Sequence, residues 1–319
     1  MSNYLIRRLL QGFIILLIIS AVAFVLVRLS ADPMAQYATN ARMTAADRAR
    51  LRASLGLDDP MPVQYFAWLG KTVTGDFGYS FKNHQPVLSL IMQRMPNTLI
   101  LMLSAEVVIV LSSLFLGVYA AIRQYSLFVN LVTAFSFIGF SMPVFFIGLM
   151  LIFIFSVGFK NMGWPYFPFG ADVWDYSSPL QWARHLPLPV VTLAAISTAG
   201  YSRYLRSSML ETMSQDYVRT ARAKGLKERA VLLQHALKNA ALPFVTVVGL
   251  DLPFLLGGAI VTEQVFSFPG MGRLFWDSAS FGDFPVVMAI LILVAIAVVT
   301  FQILTDVAYT FLDPRIKLA

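Results

Sequence analysis

Long apolar stretches constrain this chain more than any other feature. Six of them approach or exceed the roughly 20 helical residues that cross a hydrocarbon core about 30 Å thick. Composition agrees, because 58% of the residues are hydrophobic and 13% are charged, against roughly 45–50% and about 25% in soluble domains. The sequence predicts an all-α integral membrane protein with six transmembrane helices, at about 9–29, 98–122, 133–158, 187–208, 243–262 and 286–307.

The first apolar stretch raises the question of a secretory signal peptide. It follows Arg7 and Arg8, as the apolar region of a signal peptide follows its basic residues. The stretch is longer than such a region usually is, and no clear small-residue cleavage site precedes Arg28. We expect an uncleaved first helix in a segment 1–29, with a cleaved signal peptide as the alternative.

Basic residues set the expected orientation, because Lys and Arg accumulate in the cytoplasmic loops of membrane proteins. With six spans, one face of the membrane holds 13 Lys or Arg against four acids, and the other holds eleven against ten. The first face is therefore expected to be cytoplasmic and to carry both termini. Its segments are 1–8, 123–132, 203–242 and 308–319.

The chain is expected to consist of segment 1–29, an external segment 30–97 and a transmembrane core 98–319. Within the external segment, "TAADRARLRASLG" predicts a helix with Thr44 as its N-cap and Gly56 as its stop. A later external segment, 263–285, has apolar residues broken by Pro and Gly. This pattern predicts an irregular hairpin that dips towards the membrane, which requires surrounding protein or water.

The densest basic stretch is "YVRTARAKGLKERAVLLQHALKNAALP", which runs from Tyr217 to Pro243 within a loop 209–242. A helix is predicted up to Gly225, because glycine takes positive φ and ends helices. Its small residues Val218, Ala221 and Gly225 share one face. A second helix is predicted from about Lys227, with an apolar stripe of Ala230, Leu233, Leu237 and Ala240.

This helix–glycine–helix pattern has two interpretations. Its basic residues suit an amphipathic element that binds acidic lipid headgroups. Its small-residue face and glycine bend suit a docking element for a cytoplasmic partner, and these features favour docking.

The stretches "DYVRTARAKG" and "HALKNAALP" closely resemble the cytoplasmic coupling loop of ABC importer permeases. The specific resemblance is to the dipeptide, oligopeptide and nickel permease family, in its B-type (first permease) branch. Further motifs follow in the family's order along almost the whole chain: "LGLDDPMPVQYFAWL", "GDFGYSF", "RMPNTLIL", "VFSFPGMGRLF" and "DPRIKL". The chain departs from the family at "SADP", where Pro-Gly-Asp-Pro is usual, and "MGWPYFPFG" is only loosely similar.

The resemblance implies a multi-pass permease subunit of an ATP-driven importer in a bacterial inner membrane. The subunit would move peptides or a related small solute by alternating access. Implied partners are a homologous second permease, two ATP-binding subunits that carry ATP and Mg, and an extracytoplasmic solute-binding protein. The residues implied to couple to the ATPase are Tyr217, Val218, Ala221, Lys224, Gly225 and Leu226.

The chain itself is expected to be a transport subunit and not an enzyme. It contains no G-x-x-x-x-G-K-[ST] phosphate loop and neither an H-E-x-x-H nor a G-x-S-x-G pattern. With no cysteine and only three scattered histidines, no catalytic residues, metal ligands or bound cofactor are expected, and no nucleic acid.

Ionisable residues at membrane depth indicate functional sites by default. Glu106 and Asp251 are therefore candidate pathway residues, with hydrogen-bonded structural roles as the alternative. Pro143 and Pro253 predict helix breaks like those at transporter cavities, or else static kinks. If Asp251 lines the pathway, it favours a cationic or zwitterionic solute.

Two further questions stay open at the level of sequence. A secondary transporter or channel is the alternative function, although neither pore-lining ionisable pairs nor an inverted repeat is evident. Peptide, nickel, heme-like and opine-like solutes are all compatible with the resemblance. The external segment 30–97 would dock the binding protein, gate the channel, or both.

Overall fold

Helices form the regular structure of this chain in a computed structural model, which describes residues 2–30, 44–54, 56–170 and 178–312. Within the described residues, the only pairing of extended backbone is an isolated bridge between Tyr79 and Pro86. In chain order the helices are α1 (Ser2–Ser30), α2 (Ala45–Ser54), α3 (Met61–Val73), α4 (Val87–Ile122), α5 (Leu127–Ser141), α6 (Val144–Asn161), α7 (Pro179–His185), α8 (Pro187–Met213), α9 (Asp216–Ala223), α10 (Glu228–Ala230, continuing as a π-helix over Val231–Leu237), α11 (Lys238–Val265), α12 (Met271–Phe281) and α13 (Phe284–Leu312).

Several of these helices are long and apolar enough to cross a membrane. Four described helices qualify alone: Ile6–Leu29, Val87–Ile122, Val144–Asn161 and Phe284–Val307. The pair Glu228–Ala241 and Pro243–Gly249, bent by 42°, would make a fifth. The predicted all-α membrane fold is confirmed, while the count of six stays a prediction. The predicted fourth span lies in α8, whose apolar run is shortened by Arg203 and Arg206.

The chain divides into two compact units, of which the first comprises Met1–Pro96 and Arg273–Thr300. Here Phe24 of α1 contacts Tyr65 and Trp68 of α3, each with ring centroids 5.6 Å apart. The hydroxyls of Ser20 and Tyr65 share a hydrogen bond of 2.8 Å beside these rings. Aromatic packing and this bond together hold α3 against α1.

The predicted ends of α2 are confirmed. The Asp47 N–H donates to the Thr44 hydroxyl at 3.2 Å, and the Thr44 N–H donates to the Asp47 carboxylate at 3.1 Å. This reciprocal cap also lowers the pKa of the Asp47 carboxyl, because hydrogen bonds from Thr44 favour its charged form. Gly56 follows the helix with φ +63°, a conformation that suits glycine.

A buried carboxylate organises the rest of the first unit. Asp283, directly before α13, accepts hydrogen bonds from the Ser80 hydroxyl and from the N–H groups of Phe81 at 2.9 Å and Lys82 at 3.3 Å. Asp283 and Ser80 are each 1% exposed. The "GYSF" loop is therefore fixed to the start of α13 by bonds to a charged acceptor, which are stronger than bonds between neutral groups.

The second unit comprises Asn97–Gly272 and Phe301–Ala319. In it α8 packs against α5, α6 and α11. Gly117 of α4 lies so close to α8 that an added Cβ would come within 2.9 Å of the Leu205 Cβ. The core combines residues of α4, α6 and α8 with the segment after α11: Leu101, Ala105, Ile152, Leu188, Val190, Leu193, Phe266 and Phe268.

Of the two helix breaks that the sequence predicts at prolines, the structure has one and lacks the other. At Pro143, α5 ends at Ser141 and α6 begins at Val144, so this predicted break is confirmed. Helix α11 continues through Pro253, so the predicted break there is wrong. Neighbouring backbone groups in a bundle repair the hydrogen bond that a proline removes. The segment 263–285 contains α12, 11 residues long, and is therefore not the predicted irregular hairpin.

Removing the Asp283 carboxylate tests its role in the first unit. We expect Asp283→Ala to lower the free energy of unfolding by about 2–3 kcal/mol, because three buried donors lose a charged acceptor. The measurement is the thermal midpoint of the purified transporter in detergent. The control is Asp277→Ala, since Asp277 makes only a partly exposed 3.8 Å pair with Arg273, and such pairs contribute roughly 0–1 kcal/mol. Equal midpoints for the two variants would contradict this role for Asp283.

Candidate functional site

The candidate site is the basic loop between α8 and α11, which we term the coupling loop (residues 214–237). Helix α9 spans Asp216–Ala223 and has an acid in its first turn and Arg222 in its last. This distribution complements the helix dipole, which favours negative charge at the N-terminus and positive charge at the C-terminus. The predicted helix before Gly225 is therefore present.

The turn after α9 is built around Gly225. The Leu226 N–H donates to the Ala221 carbonyl at 3.4 Å, and the Gly225 N–H donates to the Arg222 carbonyl at 2.9 Å. This pair of bonds is a Schellman motif, in which the residue after the helix takes positive φ. Gly225 has φ +76°, which confirms the predicted glycine stop.

An ion pair closes the turn from outside. The Arg222 guanidinium donates to both carboxylate oxygens of Glu228, with Nη2–Oε1 at 2.8 Å and Nε–Oε2 at 3.2 Å. The hydrogen bond from Arg222 lowers the pKa of the Glu228 carboxyl from its ordinary value of 4.5. A group with a lowered folded-state pKa stabilises the fold above its unfolded pKa and stops doing so as the pH falls through the folded value. The pair is therefore intact at neutral pH.

Two of the three residues on the small-residue face of α9 point inward in this chain, while docking of a partner through this helix stays a prediction. Val218 and Val231 are fully buried and Ala221 is 5% exposed, and the three form their own hydrophobic cluster. Val218 and Ala221 therefore hold α9 against the π-helical segment. The outward residues of the predicted set are Tyr217 (45% exposed) and Leu226 (43% exposed), together with exposed Lys224 and Gly225.

The apolar stripe of the second helix differs in part from the prediction. Its predicted member Ala240 is fully buried, but Leu233 is 46% exposed and Ala230 and Leu237 are half-buried. Val231 and Ala236, which lie outside the predicted stripe, are fully buried. The reason is the π-helix over Val231–Leu237, whose wider turn replaces the 3.6-residue period assumed for an α-helix. Inward positions therefore recur at spacings of five and then four.

The two membrane helices that flank the coupling loop are joined to each other close to it. The Ser208 hydroxyl of α8 donates to the Ala240 carbonyl of α11 at 3.0 Å. Slightly further along, the rings of Tyr201 and Phe244 meet edge to face at 6.0 Å. The coupling loop therefore begins and ends on helices that contact each other.

Of the four candidate pathway residues, the structure describes the side chains of Glu106 and Pro143. Glu106 is half-buried in α4 and Pro143 is exposed between α5 and α6, while the side chains of Asp251 and Pro253 lie outside the described residues. An apolar groove of about 360 Å³ lies between α4, α5 and α8, and neither Glu106 nor Pro143 lines it. Among the described residues, no group of three or more His, Asp or Glu could hold a metal ion.

Sequence reasoning missed a second buried carboxylate. Glu263, near the end of α11, is fully buried and accepts a 2.6 Å hydrogen bond from the Thr98 hydroxyl of α4. The only sequence signal was an acid two residues before the start of the "VFSFPGMGRLF" motif. Its partner is 165 residues away in the chain, so local patterns could not identify it.

Comparison with known families matches both parts of the chain. Residues 113–318 match the model described as "Binding-protein-dependent transport system inner membrane component". Residues 1–102 match the model of that system's membrane component N-terminal region. The chain belongs to this permease family of ABC importers.

Individual relatives cover the permease almost completely. It is 43% identical over 327 residues to the oligopeptide transport system permease protein AppB of Bacillus subtilis, covering 99% of this chain and all of that one. It is 37% identical over 318 residues to the glutathione transport system permease protein GsiC of Salmonella typhimurium, covering 99% of each. These likenesses establish a multi-pass inner-membrane transport subunit and not an enzyme.

A solved structure agrees at the level of fold. The permease is similar to a chain in the crystal structure of an amino acid ABC transporter with histidines. The TM-score is 0.53 at 17% identity, covering 70% of the permease and 94% of that chain. The arrangement of helices is therefore that of an ABC transporter permease.

Charge reversal tests the ion pair across the coupling turn. We expect Arg222→Glu to increase amide hydrogen exchange over residues 217–231 about three- to fivefold, because an exposed ion pair of roughly 1 kcal/mol becomes a repulsion. The double variant Arg222→Glu with Glu228→Arg should restore slow exchange. Arg219→Glu is the control, since Arg219 and Asp216 are highly exposed and 3.6 Å apart. Fast exchange in the double variant would contradict a role for the pair.

Proposed function

We propose that the permease is the first-permease (B-type) subunit of a peptide importer. Support comes from the relatives, which are named for oligopeptide and glutathione transport, and from the order of the family motifs along the chain. The full transporter would contain a homologous second permease, two subunits that bind ATP and Mg, and an extracytoplasmic solute-binding protein. Both termini and the coupling loop would face the cytoplasm, as the excess of basic residues favours.

The coupling loop is proposed to seat in a groove of one ATPase subunit. Tyr217 and Leu226 would supply the apolar contacts, since both side chains are large and exposed. Tyr217 lies in the first turn of α9, and Leu226 directly follows Gly225. Lys224 would contact the polar edge of this groove, where charged residues affect the rate of association more than the affinity. Val218 and Ala221 would contribute from inside, by keeping α9 rigid against Val231.

The rigidity of the loop carries the proposal. Closure of the ATPase pair on ATP must move the membrane helices, and a flexible loop would absorb that displacement. The coupling loop has its own hydrophobic cluster, a Schellman turn and an external ion pair. At its base, the Ser208 hydroxyl of α8 is bonded to the Ala240 carbonyl of α11. A push on α9 would therefore shift both helices and switch the side to which the pathway opens.

The solute pathway is proposed to include Asp251, Glu106, Pro143 and Pro253, with a helix break at Pro143. A carboxylate in the pathway would bind the amino terminus of a peptide, which is a zwitterion at neutral pH. This preference agrees with the peptide relatives and disfavours an anionic solute.

Straining the Gly225 turn tests coupling. We expect Gly225→Val to lower substrate uptake about tenfold, because a β-branched residue at φ +76° costs roughly 1–2 kcal/mol and distorts the turn. The measurements are uptake and ATP hydrolysis by the complete transporter in vesicles, with co-purification of the ATPase subunits.

A matched control separates coupling from general strain. Gly163 also has positive φ, at +71°, and both glycines have open space where a Cβ would be placed. Gly163→Val should therefore keep the ratio of uptake to ATP hydrolysis. Equal loss in the two variants, or full uptake with Gly225→Val, would refute docking through this loop.

Uptake of defined peptides tests the solute class. We expect vesicles with the complete transporter and its binding protein to accumulate components of an equimolar mixture of di-, tri- and pentapeptides, measured by mass spectrometry. Asp251→Asn should reduce this accumulation at least several-fold, because a neutral amide attracts an ammonium group less than a carboxylate does. Absence of all peptide uptake by the unaltered transporter would reject the solute class, and normal uptake by Asp251→Asn would reject the role of Asp251.

A further inference from the structure

A chain of hydrogen bonds joins α4 to the connection between α11 and α12. The Met271 N–H donates to the Thr98 hydroxyl oxygen at 2.7 Å. That hydroxyl donates in turn to the Glu263 carboxylate at 2.6 Å. Glu263 is fully buried and Thr98 is 3% exposed, so water does not compete for either bond.

Two further bonds fix the same connection. The Asn97 side-chain amide donates to the Pro269 carbonyl at 2.8 Å, and the Phe268 N–H donates to the Glu263 carbonyl at 2.7 Å. We call this set of groups the Glu263 latch: the side chains of Asn97, Thr98 and Glu263 with the backbone of Phe268, Pro269 and Met271.

The backbone wraps closely around the carboxylate. A Cβ added at Gly270 would overlap the Glu263 carboxylate, and one added at Gly272 would lie 3.0 Å from its Oε2. Both glycines are therefore required for space and not for an unusual φ. At Gly270 any other residue would push the Glu263 carboxylate away, whereas at Gly272 the closest overlap of an added Cβ would be with the Ile260 Cα, at 2.4 Å.

Opening the latch would be costly. A buried carboxylate loses its interactions with water and is stabilised instead by hydrogen bonds within the protein. Breaking those bonds leaves a buried donor and a buried acceptor without partners, which is energetically unfavourable. A transporter that broke these bonds in every cycle would add that cost to its conformational change.

We propose that Glu263 is a positioning residue for transport, and that the latch stays closed throughout the cycle. The start of the transmembrane part of α4 and the α11–α12 connection then move as one rigid body when the ATPase drives the coupling loop. The inference rests on the proposed function, because it assigns the movement to that drive.

Substitution of Glu263 is the first test. We expect Glu263→Ala to lower binding-protein-stimulated ATP hydrolysis by the complete transporter about tenfold, since losing a bond to a buried charged group costs more than 1.4 kcal/mol. Glu263→Gln keeps an acceptor for Thr98 and should retain most of the activity. Glu211→Ala is the control, because the Glu211 side chain is exposed. Normal stimulation in Glu263→Ala would overturn the proposal.

Cross-linking is the second test and separates positioning from simple stability. The chain has no cysteine, so the substitutions Asn97→Cys and Pro269→Cys give it a single pair of thiols. A short cross-linker that forms disulfides with both thiols joins them, and reductant releases them. A latch that never opens predicts that the cross-linked transporter works as well as the reduced one. In the Glu263→Ala background the cross-link should restore stimulated ATP hydrolysis, which a merely unfolded variant could not do.

The contrary outcomes are distinct from failure of the proposed function. Inhibition by the cross-link that reductant reverses would show that the latch must open, and absence of rescue would show that Glu263 does not act by holding this connection. Both readouts use ATP hydrolysis stimulated by the binding protein, so they do not depend on the solute. If the unaltered transporter shows stimulation but takes up no peptide, the solute class fails and the latch is still tested.

Discussion

Absence of water in the bilayer core is the constraint on which this structure depends. Every backbone N–H and C=O at membrane depth must find a partner within the protein, and helices provide one locally. Side-chain hydroxyls obey the same rule, because Thr133, Ser141 and Thr192 each donate to the carbonyl four residues earlier. Among the described residues, departures from regular α-helix include the break at Pro143, the 42° bend between Glu228–Ala241 and Pro243–Gly249, and the π-helices Ile152–Gly158 and Val231–Leu237. The two π-helices redirect side chains while keeping helical hydrogen bonds.

The coupling loop has a different difficulty, because α9 has only eight residues. A helix of that length is unstable alone in water, yet the proposed coupling requires it to be rigid. Three contacts compensate: the Val218–Ala221–Val231 cluster, the Schellman turn at Gly225 and the pair between Arg222 and Glu228. Small residues on α9 therefore permit close packing within the chain, and the larger exposed side chains are left for the partner.

Structure could be predicted from the sequence where the decisive interaction is between residues close together in the chain. Thr44 and Gly56 delimit α2 through bonds to neighbours within three residues, and Pro143 and Gly225 end helices through their own backbone constraints. Prediction from the sequence failed where the helical period changes or where a hydrogen-bond partner is distant in the chain. The shift from Leu233 to Val231 and Ala236 follows from a π-helix that no residue type announces.

The buried acids show why distant partners matter more in a membrane chain than in a soluble one. Lipid tails are as apolar as the side chains they touch, so apolar burial contributes little to helix association, and close packing and polar bonds must contribute more. Gly249 illustrates close packing, because an added Cβ would lie 2.7 Å from the Thr305 side chain. Asp283 in the first unit and Glu263 in the second illustrate polar bonds, since each fixes a connection through hydrogen-bond donors that apolar lipid cannot replace. A carboxylate that lies beside a helix end and is followed by small residues therefore fixes a connection between helices as readily as it lines a solute pathway. Its role depends on whether a donor from the same unit binds it, as the Thr98 hydroxyl binds Glu263.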